Sequence, residues 1–272
     1  MSLSTDAASA AEITVVLVHG AFADASSWNG VIPSLQQRGC AVVAPPNPLR
    51  GLTVDSAYIA SVLGQIDGPV LLVGHSYGGA VITNAATGAP NVLGLVYVAA
   101  FLPDEGEVLG AVAADSRDSV LSSALAPRRY PAGQPGQPAT EFGIDPAKFH
   151  ATFARDLPAD VSAVMAATQR PIAEAAFTDP SGPPAWKRLP SWAVVATGDL
   201  AVGTDLARSM AQRAGARIVE LEGSHVIMIS RPEAVLEVID TALEAVAPAA
   251  AGLPAPRRQP EETARQAAAP PS

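Results

Sequence analysis

The sequence predicts an α/β chain built on a mostly parallel, doubly wound sheet that carries a helical cap insertion. Three observations predict this. Short β-branched runs alternate with longer helical patterns over the first hundred residues, the runs are apolar without alternation, and the strand pattern stops near Phe101 and resumes near Trp192. Near-continuous apolar runs suit strands buried on both faces, and alternation of strand and helix is how parallel strands are joined.

Taken in order, strands are expected at 13–19 (ITVVLVH), 41–45 (AVVAP), 69–75 (PVLLVGH) and 92–100 (VLGLVYVAA), with helices between them at about 28–38, 53–66 and 78–87. Residues 101–189 are rich in Pro, Gly and Ala. Amphipathic pieces there open after Asp145-Pro146 and Leu157-Pro158, with proline placed for a first helical turn. Strands resume at 192–198 (WAVVATG) and 216–221 (ARIVEL), separated by a helix that Thr204 would cap. A last helix is expected to open at Ser230, with Glu233 completing a capping box, and to run to about 246. The reading divides the chain into a core of 12–100 and 190–246, an insertion of 101–189, and unstructured ends at 1–11 and 247–272, the latter too poor in apolar bulk to pack.

Composition narrows the partners. A chain of 272 residues can bury one sizeable core, and a net charge of -9 without a Lys/Arg cluster argues against nucleic acid. The single cysteine, Cys40, heads the apolar run CAVVAP and reads as a structural thiol. The N-terminus lacks the basic and apolar regions of a secretory signal, and no apolar stretch is long enough to span a bilayer, so the expected location is cytoplasmic with no membrane partner. The sequence leaves the oligomeric state open.

The chemistry is carried by Gly74-His75-Ser76-Tyr77-Gly78-Gly79, set between the apolar runs VLLV and AVITNAA. G-x-S-x-G alone recurs by chance in about one chain in ten of this length. At a strand-to-helix turn it is specific, because the sharp turn exposes the serine and leaves no room for Cβ atoms beside it. Ser76 is therefore the candidate nucleophile. A serine hydroxyl is activated by a histidine that a third group orients. Of the four histidines, His225 follows the last strand and so shares the carboxyl edge of the sheet with Ser76. His19 and His75 read as buried structural residues, and His150 as a surface residue of the insertion. Asp199, where AVVATGD leaves its strand, is the candidate orienting acid. Asp104, in the loop after the preceding strand, is its rival, while Asp205 suits a helix N-terminus. Backbone N–H groups of Tyr77 and Ala21 are the candidate oxyanion donors, with Phe22 as a fallback. Phe22, Phe149, Phe153 and Trp186 are candidate substrate contacts, and Met165 and Phe177 could share the lining. No metal or organic cofactor is implied.

With LVHGAF, GHSYGG, TGDLAV and GSHVIM in this order, residues 13–246 resemble the α/β-hydrolase superfamily, and within it small bacterial esterases related to plant methyl-ester esterases and hydroxynitrile lyases. The resemblance implies a triad of Ser76, Asp199 and His225, oxyanion donors Ala21 and Tyr77, and a cap over the pocket at 101–189. One departure from the superfamily is expected: the sheet would lack its first strands, because almost nothing precedes Ile13. Lyases of the group typically have Thr where this chain has Gly20 and Lys where it has Val226, and relatives that use an aspartate nucleophile would not have Ser at 76. The expected reaction is hydrolysis of a small or medium apolar or aryl carboxylic ester. The alternatives are a lyase or C–C bond hydrolase using His225 as base, and a non-catalytic ligand-binding member of the fold.

Overall fold

The computed structural model describes residues 13–132 and 136–252. Its core is a six-stranded, wholly parallel sheet. The strands are β1 (Thr14–Val18), β2 (Ala41–Val43), β3 (Val70–His75) and β4 (Val92–Val98), followed after the insertion by a fifth and a sixth. β1 and β3 are buried at every position, as continuous apolar runs covered on both faces must be. Between the early strands lie α1 (Ile32–Gln37), α2 (Leu52–Leu63) and α3 (Tyr77–Ala85). The first helix is shorter than expected: Ala25–Trp28 forms a separate 3-10 turn, and α1 starts only at Ile32, with Pro33 in its first turn.

The insertion holds the expected helices and also strands that the sequence did not announce. α4 (Leu109–Ala114) is followed by β5 (Leu125–Pro131) and β6 (Pro138–Ile144), an antiparallel pair to which β7 (Ile172–Ala173) adds a third strand. α5 (Pro146–Phe153) and α6 (Ala159–Thr168) begin at the two Asp/Leu-Pro sites, and α7 (Ala175–Thr178) follows β7. Prolines at Pro127, Pro131 and Pro138 and the solvent-facing β5 remove the period-2 pattern that would have announced the hairpin.

The main sheet is completed by β8 (Ser191–Ala196) and β9 (Arg217–Leu221), with α8 (Thr204–Arg213) between them. Thr204 does not cap α8. Gly203 holds the cap position, and the Thr204 hydroxyl donates instead to the Ala196 carbonyl at 2.8 Å. Nor does the Ser230–Glu233 capping box form: Ser230 ends a short α9 (Ile227–Ser230), and α10 (Pro232–Ala250) starts behind Arg231 on the preset φ of Pro232. α10 passes the expected end at 246 and packs Val235, Ile239, Ala242 and Val246 inward at helical spacing. The expected unstructured stretch at 1–11 and most of the tail lie outside the described residues.

Sheet order is β2-β1-β3-β4-β8-β9. The chain direction across the sheet reverses between β1 and β3, which places the loops after those two strands at the topological switch point, where open α/β sheets carry their sites. Cys40 is half-buried against the core. No described helix is long and apolar enough to cross a membrane.

Candidate active site

β3 runs straight into Ser76, whose backbone stands at φ 54, ψ -125 before α3 begins. A non-glycine residue there costs roughly 1–3 kcal/mol and persists only when its surroundings over-determine it. They do so here. The Ser76 N–H donates to the Val98 carbonyl at 3.2 Å, and its own carbonyl accepts from Gly79 at 2.9 Å and Phe101 at 3.2 Å. The elbow's glycines are required by space: a Cβ at position 74 would lie 2.6 Å from the Gly78 carbonyl oxygen, and one at position 78 would lie 2.5 Å from the Val18 oxygen.

His225 sits in the loop after β9, fully buried. Its Nδ1 donates to Asp199 Oδ2 at 2.9 Å, and Asp199 is equally buried. The second Asp199 oxygen accepts from the N–H groups of Ala201 at 2.8 Å and Val202 at 3.1 Å, so the carboxylate is fixed from both sides. His225 Nε2 makes no hydrogen bond among the described residues. His75 supports the arrangement from behind. Its Nε2 donates to the His225 carbonyl at 3.0 Å, and the two rings lie 4.7 Å apart. Burial, then the neighbouring His225, holds His75 well below its ordinary pKa, so it stays uncharged beside its partner. Asp104 is turned elsewhere: it forms an exposed ion pair with Lys187, which holds its carboxyl below the usual range.

The loop after β1 faces the elbow closely, and a Cβ at position 20 would lie 2.6 Å from Ser76 Cβ. The backbone N–H groups of Ala21 and Tyr77 donate to no protein acceptor among the described residues; Tyr77, as the first residue of α3, has no intrahelical acceptor. The Phe22 N–H is committed to the Arg170 carbonyl at 3.1 Å, which removes Phe22 as a fallback donor. His19 fixes the loop's base: Nδ1 donates to the Gly20 carbonyl at 2.8 Å, and Nε2 accepts from the Asn47 N–H at 2.9 Å. Burial lowers its pKa to about 4, so this ring too is neutral.

Aromatic rings wall the site. Phe153 lies 4.8 Å from the His225 ring, Phe22 meets Phe153 edge-on at 6.0 Å, and Phe149 stands behind Phe153 at 5.0 Å, buried in the cap. Trp186 does not join them. Its Nε1 donates to the Pro103 carbonyl at 3.0 Å and its ring lies beside Lys187, because the turn at Pro184 docks it on the exit of β4. A cavity of about 470 Å³ lies between the core and the insertion, lined by the apolar Phe101, Leu121, Leu125, Phe142, Phe177 and Ala201 and by the polar Ser116, Ser119, Ser122, Thr178 and Glu174; neither Ser76 nor His225 is in its lining. Two of its lining residues bond to residues of the site through their backbone N–H groups, Phe101 to the Ser76 carbonyl and Ala201 to Asp199. Phe142 and Leu125 belong to the unannounced hairpin, which is why sequence reasoning passed over them. It also missed Asp156. This carboxylate accepts from the Ser224 N–H at 2.8 Å and from the Ser224 hydroxyl, holding the residue before His225 from the insertion between β4 and β8. Burial raises its pKa, and those bonds outweigh burial to keep it low. A lone aspartate 68 residues upstream gives no sequence signal of that role. Among the described residues no group of His, Cys, Asp or Glu is placed to hold a metal ion.

A serine on a strained strand-to-helix turn, a buried His–Asp pair on the loops after β8 and β9 at the same edge of the sheet, and two N–H groups with no protein acceptor among the described residues form an arrangement that can carry out acyl transfer. The chain belongs to the Alpha/beta hydrolase family, whose profile matches residues 15–238. It is 38% identical over 110 residues to a carbendazim hydrolyzing esterase of Nocardioides sp. (strain SG-4G), covering 36% of this chain and 46% of that protein. It is 35% identical over 106 residues to a pyrethroid hydrolase of Sphingobium wenxiniae (strain DSM 21828 / CGMCC 1.7748 / JZ-1), covering 34% and 37%. The chain thus matches less than half the length of either curated relative. The crystal structure of polyneuridine aldehyde esterase superposes with a TM-score of 0.72 over 85% of this chain and 99% of that one, at 20% identity, a likeness of fold.

Proposed function

We propose that this protein is a serine hydrolase that cleaves a carboxylic ester with a small or medium apolar or aryl group through an acyl-enzyme on Ser76. The observation that carries the reading is His225, whose Nδ1–H is held by buried Asp199 at 2.9 Å while Nε2 is left for a proton from the neighbouring elbow. Ser76 Oγ attacks the ester carbonyl carbon as its proton passes to His225 Nε2, and the carbonyl oxygen takes up the negative charge against the Ala21 and Tyr77 N–H groups. The intermediate collapses, the C–O bond to the alcohol breaks, and His225 returns the proton to the leaving oxygen. Water then repeats the sequence on the acyl-enzyme and releases the acid. Asp199 fixes the tautomer and offsets the charge on the imidazolium.

The rings of Phe22 and Phe153 beside His225 support an apolar or aryl substrate, and the cavity that begins at Phe101 and Ala201 offers further room. Among the described residues Glu174 is the only charged one in the cavity lining, so an anionic acyl group there would meet repulsion and no cation. Relatives named for hydrolysing carbendazim and pyrethroids support ester hydrolysis as the reaction. Cyanohydrin cleavage is disfavoured because Gly20 and Val226 stand where lyases of the group typically carry Thr and Lys, and the approach of Ser76 Cβ to 2.6 Å of a Cβ built at position 20 leaves no room there for a larger residue.

The test is intact mass after a fluorophosphonate, together with hydrolysis of a short p-nitrophenyl ester, for wild type and Ser76→Ala. A single adduct and turnover that both vanish in the variant are expected. Wild type that takes no adduct and turns nothing over would overturn the acyl-enzyme.

A further inference from the structure

Tyr77 contributes more than its backbone. Its side chain is buried, and its phenol donates to Asp55 Oδ2 at 2.7 Å, joining the first residue of α3 to the first turn of α2. Asp55 is itself fully buried and anchored: its carboxylate accepts from the Arg50 N–H at 3.0 Å and 3.1 Å and from the Gly51 N–H at 3.4 Å. Its charge therefore rests on two backbone N–H groups and one hydroxyl. The guanidinium of Arg50 turns the other way, to Glu141 at 2.7 Å and over the Tyr130 ring. No side chain caps α3, because Ser76 makes no capping hydrogen bond. The peptide that carries the Tyr77 N–H is held at its carbonyl end by the Gly79 and Phe101 N–H groups at 2.9 Å and 3.2 Å, and at its Tyr77 end by the side-chain tether to Asp55.

We propose that Asp55 and the Tyr77 phenol form a positioning pair that aims the Tyr77 backbone N–H at the oxyanion; the inference rests on the hydrolase reading above. Neither group touches substrate. Both act through one peptide, and displacement of about 1 Å in a catalytic donor can lower a rate by about a hundredfold. Burial raises the Asp55 and Tyr77 pKa values, in keeping with a bond shielded from water.

The experiment compares wild type, Tyr77→Phe and Asp55→Ala in hydrolysis of p-nitrophenyl acetate and in inhibition by a matched methyl ketone and trifluoromethyl ketone. Ser76 adds to the latter's carbonyl carbon, its proton passes to His225, and the carbonyl oxygen becomes an anion in the hole. Because complete loss of an oxyanion donor lowers kcat by about 100- to 1000-fold, misaiming one is expected to lower it by about 10- to 100-fold, with KM within about twofold. Trifluoromethyl ketone affinity should weaken in step with kcat/KM while methyl ketone affinity holds. If Asp55→Ala does not fold, Tyr77→Phe, which removes one oxygen atom, decides alone. An active wild type with an equally active Tyr77→Phe overturns the positioning pair and leaves the hydrolase standing. Equal weakening of both ketones overturns it as well, since that reports a collapsed pocket. An inactive wild type overturns both readings.

Discussion

Asp199 and Asp104 leave neighbouring strands at the same edge of the sheet, and their surroundings separate them completely. Asp199 is shut away from water against His225 Nδ1 and two backbone N–H groups, while Asp104 faces Lys187 at the surface. Asp199→Asn should therefore lower kcat on a p-nitrophenyl ester by about 10⁴-fold, the loss seen when an amide replaces a triad aspartate and stabilises the wrong tautomer. Asp104→Asn should leave it within about twofold, since an exposed ion pair contributes little. The reverse result in steady-state kinetics would move the acid to Asp104. Sequence could bring both aspartates to the edge, because strand ends are legible from apolar runs. It could not choose between them by contact, because which carboxylate meets an imidazole depends on the loop path after each strand.

At the scale of elements, what the sequence announced best is what local chemistry dictates. The elbow was readable because Gly74 answers to a collision within the turn itself, and α5 and α6 because Pro146 is the first residue of one and Pro158 the N-cap of the other. What it missed is decided across the chain. The Ser230–Glu233 box fails because Ser230 belongs to α9, and the cap hairpin hides because its prolines and charged outer face carry no alternation. Asp156 shows the same limit, as a residue after α5 that braces the His225 loop through Ser224. Asp156→Ala is expected to lower kcat/KM by about 10- to 100-fold, the scale on which a supporting contact acts on the group it orients. Thermal unfolding should move little, because Asp156 is partly exposed. A kcat/KM within twofold of wild type would show that the loop holds its shape without the brace.

Over the whole molecule, the site is backed by two imidazoles, His19 and His75, that burial keeps uncharged, and this sets how the fold answers to pH. His19 is held at about 4 against an ordinary 6.5, so between those values the unfolded chain binds a proton that the folded chain refuses. Its share of stability is complete above about 6.5 and is lost as pH falls toward 4, amounting to about 3 kcal/mol at 1.36 kcal/mol per unit. His75, lowered by burial and by His225, acts with the same sign. Asp55 acts oppositely. Burial raises its carboxyl, so the folded state takes up a proton before the unfolded chain does, and acidification relieves a cost there. Asp156, held low by Ser224, adds to the acid loss only below the ordinary carboxylate range. The midpoint of thermal unfolding should therefore fall steadily from pH 6.5 to 4.5. His19→Gln cannot ionise: it should unfold at a lower temperature near pH 7.5, where the bonds to Gly20 and Asn47 are disturbed, and lose much of the slope below 6.5. Calorimetry across that range decides the matter, because an unchanged slope in His19→Gln would place the acid sensitivity on other groups, with His75, packed against His225 behind the elbow, the next to be replaced.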